Sequence, residues 1–409
     1  MNSTDRSTRA SALDLRIDQA IDAMKDRLAE LALKIHSHPE LRFEEHRAAA
    51  WISETAGSLA GVSVERPFGG LETALRARVN ADATGARVAI LAEYDALPHV
   101  GHACGHNLIA AGAVGAFCAL AQIARENPAV FDGAGFDLVG TPAEEGGGGK
   151  ITLIDAGAFR GVDCAMMFHP FDRDLLAHPT LANVWLQFEF RGKASHAAIA
   201  PWDGESALSA VTNTFHLIDS QRVHFRDGVR VHGYVTNGGE AVNIIAAKAS
   251  CEFSVRATNV RELERVRAIV ERCAKAAAMA GDVTLEISAR RGYKDLSNNM
   301  PLADTFGAHM KALGRAPKRT DPNAGAGSTD MGDVSHAVPS IHPWVAICDE
   351  NETTCHQHAF AKCAASPRGI DAMIVAAKAM ARTAADFVRD ESLRKRAREA
   401  FEESEGAAS

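Results

Sequence analysis

Residues 87–107 read RVAILAEYDALPHVGHACGHN, and this stretch decides the fold class. It opens with an apolar run of strand length, and an apolar, helix-like segment over residues 110–124 follows it. Two more runs of strand length occupy residues 136–140 and 162–168, again separated by helix-like sequence. Continuous apolar strands that alternate with helices are typical of a mainly parallel sheet flanked by helices, so the sequence predicts an α/β domain.

Ionisable side chains follow all three apolar runs, namely Glu93 and Asp95, then Glu144 and Glu145, then His169. Ligands of open α/β sheets bind outside the carboxyl ends of the strands, so we expect these groups to share one edge of the sheet. Adjacent carboxylates repel each other unless a cation or water intervenes. One carboxylate of the pair can therefore bind a metal while the other accepts a proton from an activated water. A solvated acidic turn is the alternative at this pair.

The segment GHACGHN places His102, Cys104 and His106 at alternate positions. A thiolate and an imidazole two residues apart can reach one ion from a loop, and this pair of donors suits zinc, manganese or cobalt. A buried cysteine beside surface histidines is the alternative for this motif taken alone. Near the C-terminus, the segment CHQHAF adds His356 and His358, which are open to the same two interpretations.

The sequence from residue 183 to residue 291 has a different order of predicted strands and helices. The order of elements there is β-α-β-β-α-β, which is typical of a ferredoxin-like α+β module. Strands are predicted at residues 184–191, 229–235, 249–257 and 283–289, and helices at residues 206–220 and 260–280. Because α/β character returns afterwards, we expect residues 181–295 to form an inserted domain. Residues 1–180 and 296–409 are then the catalytic domain.

A helix is predicted near the N-terminus. Ser11 matches a helix N-cap, with Asp14 three residues later. Apolar residues then recur at spacings of three and four from Ile17 to Ile35, which predicts one continuous helical face.

Bulk properties narrow the class of protein further. The chain has 409 residues, more than one hydrophobic core usually serves, which favours two domains. Its net charge of −8 disfavours nucleic acid and anionic membranes as partners. Because the chain contains no run of about 18 uncharged apolar residues, we expect no transmembrane helix. The charged N-terminus lacks an apolar signal core and the cysteines show no disulfide framework, so we expect a cytoplasmic protein.

A series of motifs, taken in order, points to a family. They are HPELRFEEHRAA, EYDALPHVGHACGHNLIAAG, GTPAEEGGGGK, FHP, GKASHAAIAPWDGESAL, NGGEAVNIIAAKASCEFSVRA, GSTDMGDVS and HQHAF. The chain resembles the dimeric metallopeptidases and amidohydrolases that include aminoacylases, glutamate carboxypeptidases and auxin-conjugate hydrolases. It is most similar to the branch of aminobenzoyl-glutamate hydrolase and β-alanyl-lysine dipeptidase. The resemblance implies a metal-dependent hydrolase that cuts the amide bond of a small N-acyl or aminoacyl amino acid with an activated water.

The resemblance also implies roles for residues of the catalytic domain. One or two divalent ions in each protomer are expected, and manganese, zinc and cobalt are the candidates. Glu144 matches the general base, and Asp95 matches a residue that orients a metal ligand. The implied metal ligands are Cys104, His106, Glu145, His169 and His356.

The resemblance implies that residues 181–295 are a lid and dimerisation domain, and that residues of this lid contact substrate. His196 matches a lid histidine that polarises the scissile carbonyl in the partner subunit's site, which implies a homodimer formed through the lid. Asn243 and Arg256 match positions that hold a substrate carboxylate, although a strand-end salt bridge is the alternative for Arg256. Two residues depart from other branches of the family. Glu93 stands where many peptidase relatives have a metal-binding His, and Asn107 stands where auxin-conjugate hydrolases have Asp.

Two other functions are compatible with the same residues. The activated water could remove an amino group from an aromatic ring, which would release ammonia without an amino acid. A non-catalytic binding protein that kept the fold is the second alternative, and metal analysis of the purified protein distinguishes it.

Overall fold

The computed structural model describes residues 11–408, except for the side chains at positions 405, 407 and 408. The expectation that the N-terminus has no apolar signal core concerns mainly residues 1–10, which lie outside this range. The helices are α1 (Ala12–Ala23), α2 (Lys25–Ser37), α3 (His46–Gly57), α4 (His106–Glu126), α5 (Gly149–Asp155), α6 (Ala207–Gln221), α7 (Val260–Ala280), α8 (Met300–Ala312), α9 (Met331–Ser335), α10 (His358–Cys363), α11 (Pro367–Arg389) and α12 (Glu391–Ala408). The strands are β1 (Val62–Glu65), β2 (Leu75–Val79), β3 (Arg87–Ala92), β4 (Gly135–Gly140), β5 (Cys164–Met166), β6 (His169–Phe171), β7 (Ala182–Arg191), β8 (Arg230–Asn237), β9 (Lys248–Ala257), β10 (Thr284–Arg291), β11 (Ser340–Ile341) and β12 (Trp344–Ala346).

The chain folds into two compact units. The first consists of the chain up to Pro179 together with Leu296–Ala407, and the second is Thr180–Asp295. Catalysis by the first unit and lid function of the second stay predictions.

A six-stranded sheet forms the centre of the first unit. Its strand order is β1-β2-β4-β3-β5-β11, and the four strands β4, β3, β5 and β11 run parallel. β1 and β2 pair antiparallel at one edge. β3 and β4 are buried along their whole length, as expected for strands covered on both faces. The predicted α/β class with a mostly parallel sheet is therefore confirmed.

Helix α4 is the central core helix of the first unit. By length and hydropathy it could cross a membrane, yet 94% of its apolar window is buried inside the protein. It packs against α2, α11 and β3. Two glycines permit this close approach, because a Cβ on Gly112 would lie 2.7 Å from Phe168 and one on Gly115 would lie 2.7 Å from Leu28.

The predicted apolar face from Ile17 to Ile35 is buried in the core, but the helix that carries it is interrupted at Met24. α1 ends before Met24, whose backbone N–H donates to the carbonyl of Ile21, and α2 begins at the next residue. The predicted N-cap is present, because Ser11 and Asp14 exchange hydrogen bonds in a capping box. α1 packs on both α4 and α11, whereas α2 packs mainly on α4. The break therefore lets each half follow a different part of the core surface.

The position of His169 also differs from the prediction that it ends a central strand. β5 stops at Met166, and His169 instead begins β6, which pairs with β12 in a separate two-stranded parallel sheet. The N–H groups of Met167 and His169 donate to the carbonyls of Ile341 and Pro343, so the chain keeps the same neighbouring segment as it passes from β5 to β6.

The second unit is a four-stranded antiparallel sheet with the order β10-β7-β9-β8. Helices α6 and α7 pack on one face, where Phe188, Phe190 and Phe253 form the core. Alternate residues point away from the helices, so Arg256 and its cross-strand neighbour Arg230 lie on the opposite face. This open face carries Arg256, for which sequence analysis predicts contact with a substrate carboxylate.

Candidate metal centre

The predicted metal ligands gather at the carboxyl edge of the parallel strands. Because β4, β3 and β5 are neighbours, the residues that follow them meet. Ligand atoms of Cys104, Glu145 and His356 all lie within 4.8 Å of one another, and the same holds for His106, Glu144 and Glu145. The geometry suits a metal centre, and the role of each residue as a ligand stays a prediction.

A third group of ligand atoms links His169 to this cluster. Atoms of Glu93, His106 and His169 also lie within 4.8 Å of one another. All five predicted ligands therefore belong to groups that share members, although they come from distant parts of the sequence. Glu93, which sequence analysis noted only as a departure from other branches, belongs to the same cluster.

Hydrogen bonds fix which imidazole nitrogen faces the cluster. The Nδ1 atom of His106 lies 2.9 Å from the carbonyl oxygen of Asp95 and 3.0 Å from its Oδ1. Nδ1 of His169 lies 2.7 Å from the carbonyl oxygen of Pro170. With Nδ1–H donating in both rings, the lone pair of each Nε2 is available to a metal. Asp95 Oδ2 also accepts the backbone N–H of Glu145 at 2.9 Å, so Asp95 supports two predicted ligands.

Several buried polar atoms in the cluster have no hydrogen-bond partner among the described residues. They include Nε2 of His106, Oε1 of Glu145 and Oε2 of Glu93. Leaving such atoms unpaired costs about 1–3 kcal/mol each, and more when the group is charged. Imidazole nitrogens, carboxylate oxygens and a thiol are the donors that a divalent transition metal takes, so these residues fit a bound ion.

The buried negative charges of the cluster also favour a bound cation. Burial, reinforced by the charges of Glu93 and Glu145, raises the pKa of Glu144 well above its usual value. Burial by itself would lower the pKa of His106, but the nearby carboxylates, led by Asp95, raise it. Neighbouring carboxylates repel each other in a site that excludes water, and a divalent ion offsets that repulsion.

Two residues around the cluster have strained backbones. His356 has φ of 70° and Ala143 has φ of 61°, backbone conformations that residues other than glycine rarely adopt. A hydrogen bond of 2.9 Å from the N–H of His356 to the carbonyl of Ala103 holds the first. The N–H of Ala143 donates to buried Glu45 at 2.9 Å, which holds the loop before Glu144. Sequence analysis missed Glu45, whose pKa burial and the charge of Asp95 raise to about 7.

Sequence analysis also missed Lys150 and Asp330. The fully buried ammonium of Lys150 contacts Glu93, and it lies 2.6 Å from Oδ1 of Asp330. A lysine in the first turn of a helix is disfavoured by the helix dipole. The position of Lys150 directly after GGGG therefore indicates that its charge needs a nearby carboxylate. His342 was missed as well. It is buried with its ring 5.4 Å from that of His169, and neither nitrogen has a partner among the described residues.

In the second unit, the loops of His196 and Asn243 lie side by side. The N–H of Ala197 donates to the carbonyl of Asn243 at 3.0 Å, and neither His196 nor Asn243 is buried. Nδ1 of His196 accepts the backbone N–H groups of Ala198 and Ile199 at 3.2 and 3.3 Å. Because Nδ1 is an acceptor, neutral His196 carries its proton on Nε2 and can donate it to an oxyanion.

Arg256 is half-buried on the open face of the second unit. In the part of the chain that the structure describes, no carboxylate forms an ion pair with it, so the strand-end salt bridge considered as an alternative is not found there. Its direct cross-strand neighbours are Asn183 and Arg230. Like charges directly opposite each other in a sheet are unfavourable, so this position suits an anion.

Comparison with known proteins adds independent findings. Residues 89–386 match the sequence model of peptidase family M20/M25/M40. The chain is 37% identical to the Xaa-Arg dipeptidase of Mus musculus over 97% of this chain and 94% of that protein. It is 27% identical to a p-aminobenzoyl-glutamate hydrolase polypeptide of Escherichia coli, over 92% of each chain.

Solved structures show the same fold. The YxeP protein of Bacillus subtilis, described as a dinuclear metal-binding peptidase of the M20 family, superposes with a TM-score of 0.71 at 20% identity, covering 90% of this chain and 99% of that one. An aminobenzoyl-glutamate utilization protein from Klebsiella pneumoniae superposes with a TM-score of 0.68 at 17% identity, covering 91% and 98%. The chain therefore belongs to peptidase family M20/M25/M40 and is a metal-dependent hydrolase of amide or peptide bonds.

Proposed function

We propose that the protein hydrolyses the amide bond of a small N-acyl or aminoacyl amino acid, with dipeptides and aminobenzoyl-glutamate-like compounds as the first substrates to test. Two relatives are named for a dipeptide and for aminobenzoyl-glutamate. The observation that carries the proposal is the buried carboxyl of Glu144 beside unpaired donor atoms of His106 and Glu145. This arrangement places a proton acceptor next to donors that suit a metal.

In this proposal, Cys104, His106, Glu145, His169 and His356 hold one or two ions of manganese, zinc or cobalt. When bound, a divalent ion lowers the pKa of a water and polarises a carbonyl. Glu144 accepts the proton of the attacking water and returns it to the leaving amine. Asp95 keeps the ring of His106 and the backbone of Glu145 in place.

We also propose that the enzyme is a homodimer formed through the second unit. Ile199, Trp202 and Val242 are 70%, 78% and 103% exposed, and Ile199 and Val242 belong to the loops of His196 and Asn243. Large apolar side chains concentrated around functional loops favour a protein partner. His196 would then donate its Nε2–H to the oxyanion in the partner subunit's site.

Mixing two inactive variants tests this arrangement. His196→Ala subunits and Glu144→Gln subunits are each expected to be inactive as homodimers. Exchange between them should restore part of the activity, because one of the two sites in a heterodimer would combine an intact Glu144 with the partner's intact His196. A mixture that shows verified subunit exchange by native mass spectrometry but no recovered activity would place His196 in its own protomer's site, or outside catalysis.

The substrate's carboxylate is proposed to bind at Arg256, with Asn243 as a second polar contact. Arg256 is half-buried without a carboxylate partner among the described residues, and a substrate with a free α-carboxylate beside the scissile amide would supply one. Esterifying or amidating that carboxylate should lower kcat/KM by roughly 10- to 100-fold, as expected for one charged hydrogen bond. The Arg256→Ala variant should lose the distinction between the free acid and the amide.

Arg290 offers a matched control on the same face of the sheet. Its guanidinium is already paired with Glu252 at 3.3 Å and lies 4.8 Å from the ring of Trp185. The Arg290→Ala variant should therefore keep the preference for the free acid. A wild-type enzyme that is indifferent to the carboxylate would contradict the proposal, and ammonia release without an amino acid would favour the ring-amine hydrolase instead.

We further propose a cytoplasmic location. All eight cysteines are free, which is typical of proteins in a reducing compartment.

A further inference from the structure

Glu93 lies at the centre of a buried ion-pair network. It follows β3, its side chain is fully buried, and Oε1 contacts the ammonium of Lys150. The same ammonium lies 2.6 Å from Oδ1 of Asp330, while Oδ2 of Asp330 accepts the backbone N–H of Lys150 at 3.1 Å. Lys150 is therefore fixed at both its backbone and its side chain, and it holds one oxygen of Glu93 in place.

The other oxygen of Glu93 points toward the predicted metal ligands. Oε2 has no hydrogen-bond partner among the described residues, and it lies 3.5 Å from Nε2 of His106, which is also without one. That separation is too long for a good hydrogen bond between them. Oε2 of Glu93 and Nε2 of His106 are buried and unpaired and face each other, and His169 belongs to the same group of possible metal ligands. A cation shared by the three residues is the simplest explanation.

A competing cation position exists but is already filled. Glu93, Glu144 and Asp330 also lie within 4.8 Å of one another and, taken alone, resemble an oxygen-only cation site. The ammonium of Lys150 contacts both Glu93 and Asp330, so the protein supplies that cation itself. A metal ion is therefore expected on the other side of Glu93, toward the two histidines.

We propose that Glu93 is an additional metal ligand, binding through Oε2 the ion that His106 and His169 also hold, and that Lys150 orients it. Two imidazole nitrogens and one carboxylate oxygen are a donor set of catalytic zinc sites. The fixed charge of Lys150 offsets part of the negative charge that Glu93 adds to the buried cluster. The inference rests on the proposed function for the presence of a metal, but not on the choice of substrate.

The test compares two variants, each of which removes one negative charge beside the ammonium of Lys150. Glu93→Gln removes the proposed ligand, whereas Asp330→Asn removes the other buried carboxylate on the same ammonium. The full-length proteins are stripped with a chelator and titrated with Zn²⁺ against a chromophoric competitor, with no substrate present. Glu93→Gln should weaken the binding of at least one ion by more than roughly 100-fold, because it replaces a ligand, whereas losing a residue that only supports a ligand costs about 10- to 100-fold. Asp330→Asn should weaken zinc binding clearly less than Glu93→Gln does, because Glu93 remains as the ligand.

Cobalt provides a readout of the coordination itself. Wild type and Asp330→Asn loaded with Co²⁺ should share one visible absorption spectrum, and Glu93→Gln should change its intensity and position because the number of ligands falls. If Glu93→Gln does not fold, as judged by circular dichroism, Glu93→Asp replaces it. This variant keeps a carboxylate beside Lys150, but its side chain is shorter and does not reach as far toward His106. It should therefore also weaken metal binding.

Three results would overturn the inference. They are wild-type zinc affinity in the Glu93 variants, an unchanged cobalt spectrum, and equal weakening by Glu93→Gln and Asp330→Asn, which would indicate an effect of charge alone. Because zinc binding is measured without substrate, a failure to hydrolyse any dipeptide would leave this measurement unaffected and would count against the proposed substrate class instead.

Discussion

Replacing Glu144 with Gln is expected to lower kcat by about 10²- to 10⁴-fold, the usual contribution of a general base. The amide has nearly the shape of the carboxyl but cannot accept the proton of the attacking water. Metal content, measured by elemental analysis after purification, should stay at the wild-type level, because the proposed role of Glu144 is to move a proton.

The neighbouring Glu145→Gln variant is the control for this result. Glu145 has a buried, unpaired Oε1 and lies in the ligand groups of both Cys104 and His106. Its replacement should lower metal content together with activity. Near-normal kcat in Glu144→Gln, or full metal content in Glu145→Gln, would show that the roles of the two carboxylates are assigned wrongly.

Removing the metal is expected to abolish turnover completely. The donor atoms come from four separate segments around Cys104, Glu145, His169 and His356, and Glu144 can deprotonate the water efficiently only when a metal ion has lowered the pKa of that water. Dialysis against a chelator should therefore give an inactive protein, and adding manganese, zinc or cobalt should restore activity. The metal that restores the highest kcat/KM at stoichiometric concentration identifies the preferred ion.

Cys104→Ser refines this experiment. A hydroxyl is a weaker ligand than a thiolate for these metals, so the variant should lose metal at a lower chelator concentration than the wild type. Full turnover after exhaustive chelation, with no metal found by elemental analysis, would exclude the proposed mechanism.

Local sequence patterns determined the fold class. The apolar runs before Glu93 and Glu144 have strand length and alternate with helical segments, and short-range periodicity of this kind depends on neighbours within a few residues. The same patterns indicated that ionisable side chains follow the strands and meet at one edge of the sheet. The ordered motifs pointed to the family that the comparison then confirmed.

Local patterns failed where distant packing decides the backbone. The periodicity from Ile17 to Ile35 carries no sign of the break at Met24, because that break depends on which core surface each half-helix meets. For His169, the apolar run before it resembles one long strand. Its pairing partner, Trp344, lies in a strand that local sequence does not reveal.

The buried ion pairs were decided by tertiary structure alone. Lys150 is 57 residues from Glu93 and 180 residues from Asp330 along the chain, so no local pattern links the three. Lys, Glu and Asp are each usually exposed, so none of the three residues stands out in the sequence. Their pairing becomes necessary only when the fold excludes water from all of them. Burial makes an unpaired charge costly, and this cost explains why an ammonium, two carboxylates and the predicted metal ligands must lie together. Local sequence indicated the kind of chemistry, whereas the fold decided which buried charges lie together.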